Sequence, residues 1–210
     1  MSQVKGSRRQ KSAATRRRIL RAAHDDFVEK GYHGATVASI AARAGVATQT
    51  VYYVFNTKAA LISAAVDLLV MGEEDPVPPQ DTEWWRAMVA EDDASRALSH
   101  FVRGAAVLFQ RASALSEILR AASLTDEEVR RTYEYHERLR AEGFREVVEL
   151  LSTKGRLRAG LTVDSATDVL LVVFGDSTYH LLTHDRRWSH DDVVTWFDTS
   201  LPSLLLDVGD

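Results

Sequence analysis

The sequence predicts an all-α protein, and three observations support that prediction. Apolar residues recur at three- and four-residue spacing along most of the 210 residues, as they do on one face of an α-helix. No segment alternates convincingly between apolar and polar residues in the way a strand does, and no segment is repeated. Glycine and proline fall between the periodic segments, where they predict helix ends and turns.

The first helices are short and follow one another closely. Apolar residues at helical spacing in Ile19–Phe27 predict a first helix, and Gly31 predicts its end. A second helix begins after Thr36, whose hydroxyl can cap it, and it ends at Gly45. A later one spans Ala59–Met71, where helix-forming residues dominate. The proline-rich, acidic stretch that follows predicts a loop.

The later helices are predicted mainly from residues whose side chains can cap a helix N-terminus. We expect a long amphipathic helix, a second that begins with a capping box, a third that is apolar nearly all round, and a last one that ends near residue 206. In the same order they are Asp93–Ser123, the helix after Thr125 and Glu128, Asp164–His184, and the helix capped by Ser189 and Asp192. Pro202 lies within the last of these and predicts a kink or an end there.

Charge divides the chain into a basic first part and an acidic remainder. Residues 1–58 contain 11 lysines and arginines and 3 aspartates and glutamates, whereas the other residues contain 15 and 27. This asymmetry predicts that a polyanion faces the first part alone. We therefore divide the chain into a basic flexible arm (1–14), a small helical domain (15–58) and a larger helical domain (59–210).

The spacing of Ala41, Gly45 and Val51 is typical of a helix-turn-helix. A small Ala41 lets two helices cross closely, and Gly45 can adopt the left-handed backbone of a tight turn. An ordinary helical hairpin would explain these residues equally well. It would not explain the polar outer face of the following helix, Thr48–Phe55, or the basic residues that flank the motif.

Residues 34–61, GATVASIAARAGVATQTVYYVFNTKAAL, resemble the DNA-binding signature of tetracycline-repressor-like (TetR family) transcriptional regulators. The resemblance is strong over residues 15–62. It continues more weakly to the end in the length, the helical layout and the closing RRWSHDDVVTWF and LLL pattern. It implies an N-terminal three-helix helix-turn-helix domain and a larger ligand-binding and dimerisation domain. It also implies a cytoplasmic homodimer that binds double-stranded DNA at a palindromic operator, usually as a repressor released by a small-molecule effector.

The helix Thr48–Phe55 is expected in the major groove, with its first residues at base edges. A glutamine there can bond bidentately to adenine, and a threonine methyl can meet the thymine methyl. By resemblance, two tyrosines and a lysine match positions that hold phosphates. The candidate DNA contacts are Thr48, Gln49, Thr50, Tyr52, Tyr53, Lys58, Thr36 and Arg16.

Two residues depart from the family pattern. Ala47 stands where a capping serine or threonine is frequent, so Thr48 is a candidate cap in its place, which would remove it from base reading. Val54 stands where histidine or tyrosine is frequent, which predicts one DNA contact fewer. The arginines and lysines of residues 5–21 favour phosphate or minor-groove contacts, although charged tails are also commonly just solvated.

The larger domain is expected to hold the effector among its middle helices and to dimerise through its last two long helices. Large aromatic residues and one histidine are the pocket candidates, and plain core packing is the alternative for each of them. They are Trp84, Trp85, Phe101, Phe109, Tyr133 and His136. Because no conspicuous buried charge cluster accompanies them, we expect a largely apolar effector.

Metal, cofactor and enzyme functions have little support in the sequence. Asp176, His180 and His184 repeat every four residues, and two histidines at that spacing can bind zinc, but spacing fixes no third strong ligand. We therefore predict no metal site and no cofactor. The sequence contains no nucleophile elbow, phosphate-binding loop or metalloprotease motif, and it contains no cysteine. No stretch predicts a signal peptide or a membrane span.

Overall fold

The computed structural model describes residues 2–72 and 77–207, with the backbone alone for residues 2–10. The described residues form ten α-helices, with a short 3₁₀ turn at Pro79–Asp81 and a π-helical turn at Leu181–Asp185. The helices are Ser2–Gly34 (α1), Val37–Ala44 (α2), Thr48–Phe55 (α3), Lys58–Met71 (α4), Glu83–Ala90 (α5), Ala94–Ser123 (α6), Glu127–Lys154 (α7), Val163–Val173 (α8), Asp176–His180 (α9) and His190–Leu205 (α10).

The all-α prediction is confirmed for the part of the chain that the structure describes. It contains no named strand there, and its sole β-type pairing is an isolated bridge between Leu157 and Leu206. No single helix among these residues has the length and apolar composition of a membrane span. The consecutive helices α3 and α4 reach those values together, but they are bent by 73°.

The chain forms two compact units. The first combines Met1–Pro76 with Ile118–Tyr133, and the second combines Val77–Glu117 with Glu134–Asp210. The first unit thus extends past the domain boundary that we placed after residue 58. It includes α4, whose Leu61 and Ile62 are fully buried, and also the last turn of α6 and the first turns of α7.

The first helix is longer than expected at its N-terminus. The segment 1–14, which we predicted as a flexible arm, is helical from Ser2 onward. Its lysines, arginines, glutamines and alanines are good helix formers, and no proline interrupts them. Gly31 marks the expected break, with a left-handed φ of 69°.

Two of the predicted caps are confirmed and two are wrong. Thr36 caps α2, and Ser189 with Asp192 forms a capping box on α10. The amide hydrogen bonds at the start of α7 go to a carboxylate oxygen of Asp126 instead of Thr125. The N-cap of α8 is Thr162, which forms a box with Ser165, so the cap predicted at residue 164 is displaced by two positions.

The predicted single helix 164–184 is interrupted. The first piece, α8, ends at Val173, and Gly175 begins the second, α9. Between them Phe174 adopts φ −106° and ψ 61°, which no α-helix contains. Pro202 does not end α10, which continues through it to Leu205, so of its two predicted effects the helix end is wrong.

Phe174 lies at the centre of the core of the second unit. Its side chain is fully buried. Its ring centroid is 5.2 Å from Phe101, 4.9 Å from Phe109, 6.1 Å from Phe144 and 4.8 Å from Phe197. The break between α8 and α9 therefore directs one aromatic ring into contact with four others from α6, α7 and α10.

Candidate nucleic-acid interface

A buried carboxylate joins α1 to α2. Asp26 has no exposed surface, yet it lies in the apolar face of α1. Lys30 donates a hydrogen bond of 2.6 Å to its Oδ1, and Ser39 donates one of 2.5 Å to its Oδ2. The Arg43 guanidinium lies 3.4 Å from Oδ1 and also pairs with Glu29. Asp26 therefore ties both ends of α2 to α1.

These partners keep Asp26 ionised. Burial alone would raise the pKa of the carboxyl. The hydrogen bonds from Lys30 and Ser39, with the charges of Lys30 and Arg43, outweigh burial and hold the pKa of Asp26 below its ordinary value of 3.8. A negative charge at this point is thus part of the folded state near neutral pH.

The turn between α2 and α3 has the geometry of a helix-turn-helix. Gly45 adopts φ 65° and ψ 41°, and its amide donates to the carbonyls of Ala41 and Ala42. The Val46 amide donates to the Ala41 carbonyl at 3.0 Å. The left-handed conformation predicted for Gly45 is therefore confirmed.

Replacing Gly45 by alanine is expected to lower the free energy of unfolding by about 1–2 kcal/mol, the usual cost of a left-handed backbone for a residue with a Cβ. An added Cβ there meets nothing within 4 Å, so no clash contributes. Urea unfolding measures the change. Gly143→Ala is the matched control, because its Cβ also meets nothing but its φ is not positive. That change should stabilise α7 by about 0.5–1 kcal/mol. Equal effects of the two substitutions on the free energy of unfolding would contradict the left-handed conformation of Gly45.

The third helix has one buried face and one exposed face. Val51 and Phe55 are buried, as predicted. Tyr53 is 89% exposed and Tyr52 is about half exposed, and the side chain of Gln49 is exposed as well. An eight-residue helix that turns two tyrosines and a glutamine to solvent is available to contact a large partner.

The N-terminus of α3 shows that Thr48 is not its capping residue. The N-cap residue is Ala47, with no side-chain hydrogen bond, and Thr48 is the first residue of the helix. The alternative in which Thr48 caps α3 is therefore wrong. Its side chain, like that of Thr50, is half-buried.

Lys58 points into the first unit. Its Nζ donates to the carbonyl oxygens of Tyr32 at 2.9 Å and Ala35 at 3.2 Å, and it lies 4.2 Å from the centroid of the Tyr32 ring. Burial lowers the pKa of this ammonium, and the charge of Asp126 opposes that shift. The side chain thus closes the C-terminal end of α1, and two of its three N–H groups are used there.

The remaining candidate contacts are on α1 and at the start of α2. The Arg16 guanidinium is exposed and lies 4.5 Å from the centroid of the Phe55 ring, so it connects α1 to α3. The Thr36 hydroxyl is exposed but is used in the capping box of α2, where it accepts from the amide of Ser39.

The structure brings together only some of the predicted pocket residues. The Trp84 ring contacts Trp85 and Phe101, at centroid distances of 5.8 and 6.2 Å respectively. Phe109 is buried and meets this group through Phe174. Tyr133 belongs to the first unit, whereas His136, beside Tyr135, belongs to the second.

A groove of about 490 Å³ lies elsewhere in the second unit. It is lined by residues of α6 and α10, and it includes the ion pair between Arg103 and Asp198 at 2.8 Å. None of the six predicted pocket residues lines it.

The histidine face considered for a metal has other partners. Asp176 is held by Arg140 at 2.5 Å. His180 and His184 stack with their rings 4.8 Å apart, and His184 bonds to Asp185 at 2.9 Å. Among the described residues, no group of three or more potential metal ligands comes together.

Two important features were missed from the sequence. Asp26 carried a usable signal, because a charged residue interrupts the otherwise apolar face of α1 at a buried position. Gly104, against whose backbone the Trp84 indole packs, carried none, because a glycine within a helical pattern does not reveal which side chain contacts it.

Comparisons with known proteins agree with this geometry. The family model of bacterial regulatory proteins of the tetR family matches residues 19–65, which include α2, α3 and the turn between them. The HTH-type transcriptional regulator YdeS of Bacillus subtilis (strain 168) is 30% identical over 178 residues, covering 83% of this chain and 81% of that protein.

Solved structures share the fold over nearly the whole chain. NalD, the secondary repressor of the MexAB-OprM multidrug efflux pump in Pseudomonas aeruginosa, is 24% identical and superposes with a TM-score of 0.71 over 95% of this chain and 100% of its own. FadR from Bacillus subtilis, in complex with stearoyl-CoA, is 19% identical with a TM-score of 0.67, over 92% and 98%. The turn geometry, the family model and the relative agree: the chain belongs to the tetR family of bacterial regulatory proteins and is a helix-turn-helix transcriptional regulator.

Proposed function

We propose that this regulator is a cytoplasmic repressor that binds a palindromic operator as a homodimer and leaves it when a small, largely apolar molecule binds the second unit. The observation that carries the DNA-binding part is the exposed face of α3. It presents Gln49, Tyr52 and Tyr53 to solvent while Val51 and Phe55 hold the helix to its domain.

On the DNA, we place the first residues of α3 at base edges and the tyrosines on phosphates. Gln49 is the residue best suited to bidentate recognition of adenine, and Thr48 and Thr50 flank it. Lys58 keeps one N–H group for a phosphate, since the other two bind the carbonyl oxygens of Tyr32 and Ala35. Arg16, exposed beside Phe55, is a further phosphate contact in this arrangement.

The homodimer is supported by apolar surface near the end of the chain. Val172 on α8 is 74% exposed, and Leu181 and Trp188 are also exposed large apolar residues. Large apolar side chains exposed on a monomer mark sites for covering by another surface. A two-fold dimer would present two copies of α3 to half-sites about one DNA turn apart, roughly 34–36 Å.

The effector side is supported by the aromatic cluster of the second unit and by proteins of the same fold. The FadR structure contains stearoyl-CoA, and a transcriptional regulator from Saccharomonospora viridis with a TM-score of 0.67 and 18% identity contains choline. Release follows by population shift, in which the effector prefers a dimer whose helix spacing does not fit the operator.

Two substitutions on α3 test the DNA assignment. Gln49→Ala should weaken binding to the preferred operator by about 1–3 kcal/mol and relax the choice of base at one position in each half-site. Tyr53→Phe should weaken specific and non-specific DNA alike, because it removes a hydroxyl from a phosphate contact. Fluorescence anisotropy with labelled duplexes measures both.

Neither substitution should alter folding, since both side chains are exposed. Ala38→Ser, at an exposed position of α2, serves as a control that leaves α3 intact. Unchanged sequence preference in Gln49→Ala would mean that α3 does not read the bases through this residue.

A further inference from the structure

An indole ring rests directly on the backbone of α6. A Cβ added at Gly104 would lie 2.1 Å from Cδ2 and 2.2 Å from Cγ of Trp84. Such distances are impossible between real atoms, so the ring occupies the space that any other residue at this position would fill. Gly104 is buried, and its buried surface is covered by Trp84. We call this place, Gly104 with the volume of the Trp84 indole above it, the indole seat.

The indole seat opens onto the aromatic core. The Trp84 ring lies 6.2 Å from Phe101, whose side chain is 2% exposed and contacts Phe144 and Phe174. Fully buried Met88, one turn further along α5, belongs to the same core. Behind Trp84 there is thus a continuous apolar surface.

The side chain that fills the indole seat is held less completely than the core behind it. Trp84 is itself half-buried, and it is carried by α5, a helix of eight residues. Within α5 only Met88 is fully buried. If the Trp84 side chain moves away, it therefore exposes a flat apolar surface at Gly104 and Phe101, while the core residues beneath keep their contacts.

We propose that the indole seat is the binding site for the effector, and that the effector is a planar, uncharged aromatic molecule of about two fused rings that displaces the Trp84 side chain. The role of this ligand as an effector rests on the proposed function, that of a repressor released from DNA by a small molecule. Of the six predicted pocket residues, Trp84 fills the indole seat, Phe101 borders it, and Trp85 lies 5.8 Å from Trp84.

The shape and chemistry of the indole seat select the ligand. Helix backbone without a Cβ is flat enough for a ring to lie against it, and a thicker molecule would not fit the same gap. An aromatic ring can contact Phe101 in the tilted or edge-on arrangements that such pairs prefer. An anionic ligand would lose its hydration against Phe101 without gaining a partner.

Binding at the indole seat has a path to the rest of α6. The helix runs unbroken from Ala94 to Ser123, and its residues from 118 onward belong to the first unit. A ligand that shifts α6 at Gly104 therefore acts on an element that both units share.

The test uses the full-length protein and 2-naphthol, a planar, fluorescent two-ring probe that is uncharged at neutral pH. If the probe must displace the indole, smaller side chains at position 84 remove its competitor. Binding should tighten severalfold in Trp84→Phe and at least tenfold in Trp84→Ala. The double variant Trp84→Ala with Gly104→Leu refills the space with an aliphatic side chain and should lose that gain. Leu139→Ala, which removes an exposed apolar side chain from α7, should change the affinity less than twofold.

Equal affinity across the series, or no binding of the probe by Trp84→Phe and Trp84→Ala, would overturn the assignment. Operator binding, measured in parallel by anisotropy, separates this result from the proposed function. If the probe releases the operator equally well from the wild type and from the variants at positions 84 and 104, the indole seat is not the binding site, but the proposed function stands. Probe affinity that follows the series without operator release would support the seat and count against the proposed effector response.

Discussion

Replacing Phe174 by alanine is expected to lower the free energy of unfolding by about 3–5 kcal/mol, the range for phenylalanine in a core. Its ring is fully buried and contacts four other aromatic rings within 6.1 Å. The substitution removes both the buried apolar area and these ring pairs, and it leaves a cavity that several helices would have to collapse to fill. Urea unfolding followed by far-ultraviolet circular dichroism measures the change.

Tyr135→Ala is the matched control for this experiment, because it removes an exposed aromatic ring from α7. It should change the free energy of unfolding by less than about 1 kcal/mol. A loss at Phe174 no larger than that at Tyr135 would mean that the aromatic cluster does not organise the second unit.

Removal of the Asp26 carboxylate should have the next largest effect, about 3 kcal/mol for Asp26→Ala at neutral pH. The change leaves Lys30, Ser39 and Arg43 without their common partner. Lys30 and Arg43 are partly exposed and can turn to water, which keeps the loss at the lower end of the range for broken buried pairs. Glu29→Ala, which also removes a partner of Arg43 but at an exposed position, should cost much less.

The contribution of Asp26 should depend on pH in one direction. Because the folded state lowers its pKa below 3.8, the charge stabilises the fold at all pH values above the unfolded pKa and loses this effect as the pH falls through the folded pKa. The difference in unfolding free energy between wild type and Asp26→Asn should therefore be constant from about pH 7 to 5 and shrink below about pH 4. A difference that grows on acidification would contradict the ionised assignment.

The first unit was largely predictable because its signals are local. Thr36 and Gly45 lie at the two ends of α2, where capping chemistry and left-handed backbone leave marks in the sequence. The alternation of buried Val51 and Phe55 with exposed Tyr52 and Tyr53 is readable from helical spacing alone. These features need no knowledge of distant contacts.

The remaining features depend on contacts between residues far apart in the chain. The apolar run through residue 174 is compatible with one long helix, and the rings of α6, α7 and α10 that surround Phe174 lie far from it in the sequence. Lys58 was expected on DNA from its position, yet it also binds carbonyls 23 and 26 residues earlier. Gly104 and Trp84 are 20 positions apart, and no pattern in the sequence pairs them.

Selection of bound fragments from a genomic library by the purified protein, followed by sequencing, is the most direct test of a two-fold dimer that reads DNA through α3. The expected result is an inverted repeat whose half-sites are centred about 10 base pairs or a multiple apart, with one position in each half-site losing its preference when Gln49→Ala is used in place of the wild type. Two results would contradict this account. One is recovery of fragments with no common sequence; the other is recovery of the same repeat by the wild type and by Gln49→Ala, with the same base preference at every position.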